Sequence, residues 1–138
     1  MDSPIALIVE DERDLADIFA MALRSAGFEV ETVQSGNAAL ARLDEIAPDL
    51  VVLDLHLPGV GGATILRHIR EDARLAATRV IVATADDRTA ELLQDQADLV
   101  LIKPVSLNQL RDLSTRLGST TSPNRDEGAG DNAPRAEA

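Results

Sequence analysis

The chain contains no cysteine, no tryptophan and no tyrosine, and Phe19 and Phe28 are its only aromatic residues. Without cysteine there are no disulfides and no thiolate metal sites. Without an aromatic platform there is nothing for unpaired bases to stack on. Positive charge is scarce as well: 13 Lys and Arg stand against 24 Asp and Glu, a net charge of -11. That balance argues against direct contact with nucleic acid, whose phosphates need clustered cations. No uncharged apolar run reaches the ~18 residues of a membrane-spanning helix, so no membrane insertion is expected. The opening Met1-Asp2-Ser3-Pro4 lacks the basic region that starts a signal peptide, and a cytoplasmic location is expected. What is present is 138 residues, 45% of them apolar, enough for one domain with a real core.

That core is organised around one stretch. Leu50 to Leu53 is an apolar run that reads as a strand buried on both faces. It meets a carboxylate, Asp54, and then breaks at Pro58-Gly59 and Gly61-Gly62. A charge at the end of a buried strand is costly unless something pairs with it or coordinates it.

Four other runs read as strands: Ile5 to Val9, Phe28 to Val33, Val80 to Ala83 with Thr84 at its end, and Leu99 to Ile102 before Lys103-Pro104. Between them, apolar residues recur at helical spacing. Leu15, Ile18, Phe19, Ala22, Leu23 and Ala26 form one such face, closed by Gly27 as a C-cap. After a turn at Ser35-Gly36-Asn37, Leu40, Leu43 and Ile46 mark a second helix, ended by Pro48. Ile65, Leu66 and Ile69 mark a third, and Leu92 and Leu93 a short fourth over Arg88 to Asp95. Leu107, Leu110, Leu113 and Leu117 mark the last, with Ser106 as N-cap.

Strands alternating with helices predict an α/β fold with a doubly wound five-stranded parallel sheet and helices on both faces. In the 2-1-3-4-5 order of flavodoxin-like folds, the ligand crevice opens between the ends of strands one and three. Those ends carry Glu10-Asp11-Glu12 and Asp54. Residues 1–117 are expected to form the domain. Residues 118–138, rich in Ser, Gly, Asn, Pro and Asp, have no large apolar residue and are expected to be a disordered tail.

Carboxylates gathered at one sheet edge repel one another, by ~4 kcal/mol for a pair ~4 Å apart at an effective dielectric near 20. A divalent cation removes that cost, and an all-oxygen ligand set suggests Mg²⁺. Asp11 and Asp54 are the expected site, Glu10 is expected to reach the ion through water, and Glu12 is expected to face solvent. Lys103 is the only lysine; the other 12 basic residues are arginine. A compact ammonium at a strand end can follow a phosphoryl group, and a resting salt bridge to Asp54 is expected whatever its function. Thr84 adds a hydroxyl donor. His56 and His68 are expected on the surface rather than as phosphoryl carriers, although His56, beside the site, could tune hydrolysis of a phosphoryl group.

Val9-Glu10-Asp11-Glu12, Val52 to Gly59 around Asp54, Ala83-Thr84-Ala85 and Lys103-Pro104 together resemble the receiver domain of bacterial two-component response regulators (CheY-like). The similarity runs from about residue 5 to 117, in the right order at nearly the right spacing. It implies that Asp54 is the phosphoacceptor, taking a phosphoryl group from a sensor histidine kinase or a phosphotransfer protein. It implies Mg²⁺ on Asp11, Asp54 and the His56 backbone carbonyl, and Thr84 and Lys103 on the phosphoryl oxygens. The implied role is phosphorelay signalling by a stand-alone receiver that acts on a downstream protein, with no enzymatic activity beyond self-catalysed phosphorylation and slow autodephosphorylation.

Two positions and the length of one segment depart from the family pattern. Val100 stands where Tyr or Phe is usual, Gln96 replaces a glycine, and the segment from Thr84 to Lys103 is short by roughly three residues, close to one helical turn. Val is stiff at χ1, so an aromatic rotamer switch is not expected. Phosphorylation is expected instead to order or shift residues 85–97. The rival reading is a phosphorylation-independent interaction module, which the presence of Asp11, Asp54, Thr84 and Lys103 together disfavours. A dehalogenase-type phosphatase would need an acid where His56 stands. A dinucleotide site would need Gly-x-Gly-x-x-Gly after the first strand, where the acidic triplet stands.

Overall fold

A computed structural model describes residues 3–120. Five strands, β1 (Ile5–Val9), β2 (Glu29–Val33), β3 (Leu50–Asp54), β4 (Arg79–Thr84) and β5 (Leu99–Ile102), alternate with five helices. The helices are α1 (Arg13–Ser25), α2 (Gly36–Leu43), α3 (Gly62–Glu71), α4 (Asp87–Leu93) and α5 (Leu107–Thr120), with a 3₁₀ turn at Ala73–Leu75. All strands are parallel, in the order β2-β1-β3-β4-β5. This is the flavodoxin-like order expected from the sequence.

Alternation along the strands divides the core in two. Leu7, Val9, Val51, Leu53, Val80 and Val82 point to one face, where they pack with Leu43, Ile65, Leu66, Ile69 and Leu93 of α2, α3 and α4. Ala6, Ile8, Leu50, Val52, Ile81 and Leu101 point to the other, against Phe19 and Leu23 of α1 and Leu110 of α5. Every residue of β3 is buried. The strand is covered on both faces, so it reads as an unbroken apolar run rather than an alternation.

The ends of the elements follow local chemistry. The C-cap of α1 is Ala26 rather than Gly27; Gly27 follows it with φ +99°, a backbone that favours glycine. Ser35-Gly36-Asn37 is a helix start rather than a free turn: Ser35 Oγ accepts from the Ala38 amide at 3.1 Å and α2 begins at Gly36. The second helix stops at Leu43, before Ile46. Ser106 caps α5 as expected, its Oγ accepting from the Gln109 amide at 3.2 Å. That helix runs to Thr120, past the domain boundary expected at Leu117. The rest of the expected tail, residues 121–138, lies outside the described residues.

Two leucines expected on buried faces are exposed. Leu93 is 8% exposed but Leu92 is 78% exposed, because neighbours on a helix point about 100° apart and only one can face the sheet. Leu107 is 43% exposed in the first turn of α5, while Leu110 is buried. The short α4 is supplemented by an ionic tie at the opposite edge of the sheet. Asp98, just before β5, accepts from the Val80 amide at 2.7 Å and pairs with Arg70 at 2.9 Å and Arg79 at 3.2 Å. Arg70 also donates to the carbonyls of Gln96 and Thr78, at 2.6 and 3.1 Å, and so fastens α3 to both strands.

Glycine at position 62 sets how closely α3 approaches the end of β3. A Cβ there would lie 2.5 Å from the Asp54 carbonyl oxygen and 2.7 Å from Leu55 Cα. Both are backbone atoms and cannot swing aside. Gly62→Ala is expected to cost about 1–3 kcal/mol of stability, the range for overpacking a filled site. Urea denaturation checks it; an unchanged midpoint would show that the helix can slide without loss.

Candidate functional site

The site forms at the carboxyl end of the sheet, where β1 and β3 separate. Val9 stands beside Leu53 in the β1–β3 register, so Glu10 and Asp54 leave neighbouring strands together. On the other side Asp54 stands beside Ala83, and Thr84 beside Ile102. The Lys103 amide donates to the Thr84 carbonyl at 2.8 Å, which fixes the start of the lysine's path. The Lys103–Pro104 peptide that follows is cis.

Lys103 reaches back across the strand ends to both acids. Its Nζ lies 3.2 Å from Glu10 Oε1 and 3.4 Å from Asp54 Oδ1. The pairing with Asp54 was expected; the one with Glu10 was not. Glu10 is 1% exposed and Asp54 5% exposed, so the two carboxylates sit largely out of water. Backbone donors share the load: the Glu12 amide donates to Glu10 Oε2 and the His56 amide to Asp54 Oδ1, both at 3.2 Å. Asp54 Oδ2 has no hydrogen-bond partner among the described residues.

The electrostatics follow from this arrangement. Burial pushes the Glu10 carboxyl above the ordinary glutamate value; the Glu12 amide opposes the shift, and the neighbouring Asp54 charge adds to it. Burial works against the Lys103 ammonium, but Asp54 and Glu10 outweigh it and hold its pKa above the ordinary lysine value. At neutral pH the lysine is therefore a fixed cation facing two acids.

Above these groups lies an open cavity of about 260 Å³. Glu10, Asp54 and Lys103 line it, with Asp11, Glu12, His56 and Ala85 around them. Carboxylate oxygens of Glu10, Asp11 and Asp54 lie within 4.8 Å of one another, so they could grip one ion. An all-carboxylate donor set suits a hard cation of the Mg²⁺ class. Asp11 and Glu12 are exposed, and so is His56. His68 is not: it is half-buried on α3 beside the apolar stripe, and its buried Nε2 has no hydrogen-bond partner among the described residues.

Thr84 ends β4, the strand beside β3, as expected. It is fully buried, it does not line the cavity, and its Oγ1 accepts from the Asp86 amide at 3.1 Å. The sequence reading also missed an apolar hollow of about 420 Å³ next door, walled by Leu15, Phe19, Pro104 and Val105 and sharing Ala85 and Lys103 with the acidic cavity. Leu15 and Phe19 are four apart on α1, a spacing that marks a helix face but not what covers it.

The model of the response regulator receiver domain matches residues 6–114. The chain belongs to the response regulator receiver family. Its acidic cluster is of the kind that accepts a phosphoryl group and holds a divalent metal in such regulators. This receiver is 40% identical over 111 residues to the transcriptional regulatory protein TrcR of Mycobacterium tuberculosis, a match covering 78% of this chain and 43% of TrcR. It is 41% identical over 106 residues to the sensory transduction protein RegX3 of Mycobacterium bovis, covering 75% of this chain and 46% of RegX3. The chain thus spans less than half the length of these relatives. In solved structures it resembles the BeF3-activated receiver domain of DrrB, a Thermotoga maritima protein, at 28% identity and a TM-score of 0.75, covering 84% of this chain and 97% of that one. Such relatives are signalling and regulatory proteins, and the receiver is a part of phosphorelay signal transduction.

Removing the single cation should show how much the buried acids lean on it. Lys103→Met leaves Glu10 and Asp54 buried without a counter-charge, and in chelator-treated protein it is expected to cost on the order of 3 kcal/mol. A folded-state pKa raised above the unfolded one means that the folded chain holds the Glu10 proton more tightly. The associated stability is complete below 4.5, the ordinary value, and is lost as pH rises through the raised value. The deficit of the variant should therefore shrink on acidification toward 4.5. Urea denaturation across that range is the check, and a pH-independent deficit would contradict it.

Proposed function

We propose that Asp54 is the phosphoacceptor of this receiver and that a sensor histidine kinase or a phosphotransfer protein is its donor. One observation carries the reading: Asp54 lines a cavity rimmed by acids, its Oδ1 held by Lys103 and the His56 amide while its Oδ2 has no hydrogen-bond partner among the described residues. Oδ2 is the oxygen free to attack. It forms the new bond to phosphorus as the phosphorus–nitrogen bond of a phosphohistidine breaks, and the imidazole leaves with that electron pair.

Asp11, Asp54 and the His56 carbonyl would hold Mg²⁺, with Glu10 reaching it through water. When bound, the ion neutralises charge spread over the phosphoryl oxygens. Lys103 supplies a second, permanent positive charge on the same side, and its raised pKa keeps it protonated throughout the physiological range. Thr84 would donate its hydroxyl to a phosphoryl oxygen once the acceptor is loaded. The apolar hollow beside the site, with Leu15 and Phe19 on one wall, offers the donor protein a surface next to the reacting atoms. The output is a change in protein contacts with a downstream partner. The relay is read as cytoplasmic, the compartment in which an ATP-fed kinase would meet it.

Incubation with acetyl phosphate and Mg²⁺ should add one phosphoryl group to the intact mass of the wild-type protein and none to Asp54→Ala. An adduct on that variant would move the site elsewhere. No adduct on the wild type, from either acetyl phosphate or a phosphorylated kinase, would favour a phosphorylation-independent interaction module.

The metal is tested separately. A ligand that binds only the folded state raises its stability by mass action. Mg²⁺ should raise the melting temperature of the wild type, and Asp11→Asn should abolish most of that rise. An undiminished rise in the variant would place the ion at other ligands.

A further inference from the structure

The loop that leaves Asp54 is gripped at both of its ends. At the near end Gly62 lets α3 press on the Asp54 carbonyl and on Leu55, and the Gly62 amide donates to the Leu55 carbonyl at 3.3 Å. At the far end the grip comes from another element, the first turn of α2. Asn37 Oδ1 accepts from the Val60 amide at 3.4 Å. Gly36, buried at the start of the helix, lies against the same residue. A Cβ there would overlap the Val60 carbonyl oxygen and stand 2.8 Å from Val60 Cβ. Gly59 completes the contact. Its φ is +74°, a backbone that favours glycine, and a Cβ there would lie 2.7 Å from Asn37 Oδ1. Two glycines let helix and loop meet at backbone distance, and Asn37 ties them.

Between the two grips little holds the loop. His56, Pro58 and Gly59 are exposed, while Leu57 and Val60 pack in part against the core. The metal ligand read from this loop, the His56 carbonyl, is a backbone group. It has no rotamer to adjust, so its position is the path of the loop. Mg²⁺ demands near-ideal octahedral geometry at about 2.0–2.1 Å, whereas Ca²⁺ takes about six to eight oxygens at about 2.3–2.6 Å in flexible arrangements. A backbone ligand on a loosened loop is therefore lost to the smaller ion first.

We propose that Asn37 is a positioning residue that holds the His56 carbonyl in place and so makes the site select Mg²⁺ over Ca²⁺. The inference rests on the reading that Asp11, Asp54 and that carbonyl hold the metal. Asn37 is no ligand itself; it acts through Val60 and Gly59. Gly36 is its steric counterpart, because only a residue without a side chain lets the helix come close enough for the Asn37 amide to reach the loop. The device lies on α2, on the opposite side of β3 from Lys103, and uses none of the groups that meet the ion.

The check is titration of chelator-treated full-length protein with Mg²⁺ and, separately, with Ca²⁺, followed through the amide signals around Asp11 and Asp54 by NMR. Exchange of the Val60 amide in the metal-free protein reports the grip itself. Asn37→Ala should weaken Mg²⁺ binding by about threefold or more, the scale of one net hydrogen bond, weaken Ca²⁺ binding by less, and speed Val60 exchange. Asn37→Asp keeps the acceptor oxygen and should restore both the preference for Mg²⁺ and the slow exchange. Gly36→Ala drives the helix off Val60 and should lower the preference as well. Arg42→Met frees α2 from Glu31 and Glu45 but leaves its first turn, and the preference should stay as in the wild type. A wild type whose signals near Asp11 and Asp54 do not respond to Mg²⁺ would overturn the metal reading itself. Mg²⁺ binding in the wild type with an unchanged preference in Asn37→Ala would overturn this positioning alone, as would an equal loss of preference in Arg42→Met.

Discussion

Two carboxylates buried at the end of a parallel sheet, held by one ammonium, are the interaction on which this molecule depends. Glu10 and Asp54 are nearly inaccessible, and their only close cation among the described residues is Lys103. Taking such groups out of water costs several kcal/mol each before any pairing is counted. The arrangement persists because amides of Glu12 and His56 supply further donors and because the cavity above is open to solvent and to ions. Charge is stored here at a cost to the resting fold. Any charge added at the cavity would change that balance.

The rest of the fold serves to hold those strand ends in place. A parallel sheet buried on both faces brings successive strands to one edge with their carboxyl ends aligned. The central strand is wholly buried, so its register is hard to slip. Gly62 lets α3 press against the end of that strand, and the Arg70–Asp98–Arg79 cluster ties β4 to β5 at the far edge. Rigidity is therefore concentrated in the sheet and α3. Less of it reaches α4, which is short and shows one of its two leucines to solvent. The contrast gives a firm site beside an element that a small change in hydrogen bonding can move.

The sequence alone determined the fold class, the strand order and the acidic edge. Apolar runs of strand length, separated by helical periodicity, leave few topologies once right-handed crossovers are required. Asp11, Asp54 and Lys103 were legible because each ends or follows such a run, and because a lone lysine among arginines is conspicuous. Only the tertiary structure decided which groups meet. Glu10 and Lys103 are 93 residues apart, and their contact depends on strand register and on the path of the chain after β5. The buried, Asp86-bonded state of Thr84, the exposure of Leu92 and the half-burial of His68 were equally hidden. The physical reason is common to all of these. Periodicity along the chain fixes which residues share a face, whereas contact, burial and hydrogen-bond partners are set by what the rest of the fold places against that face.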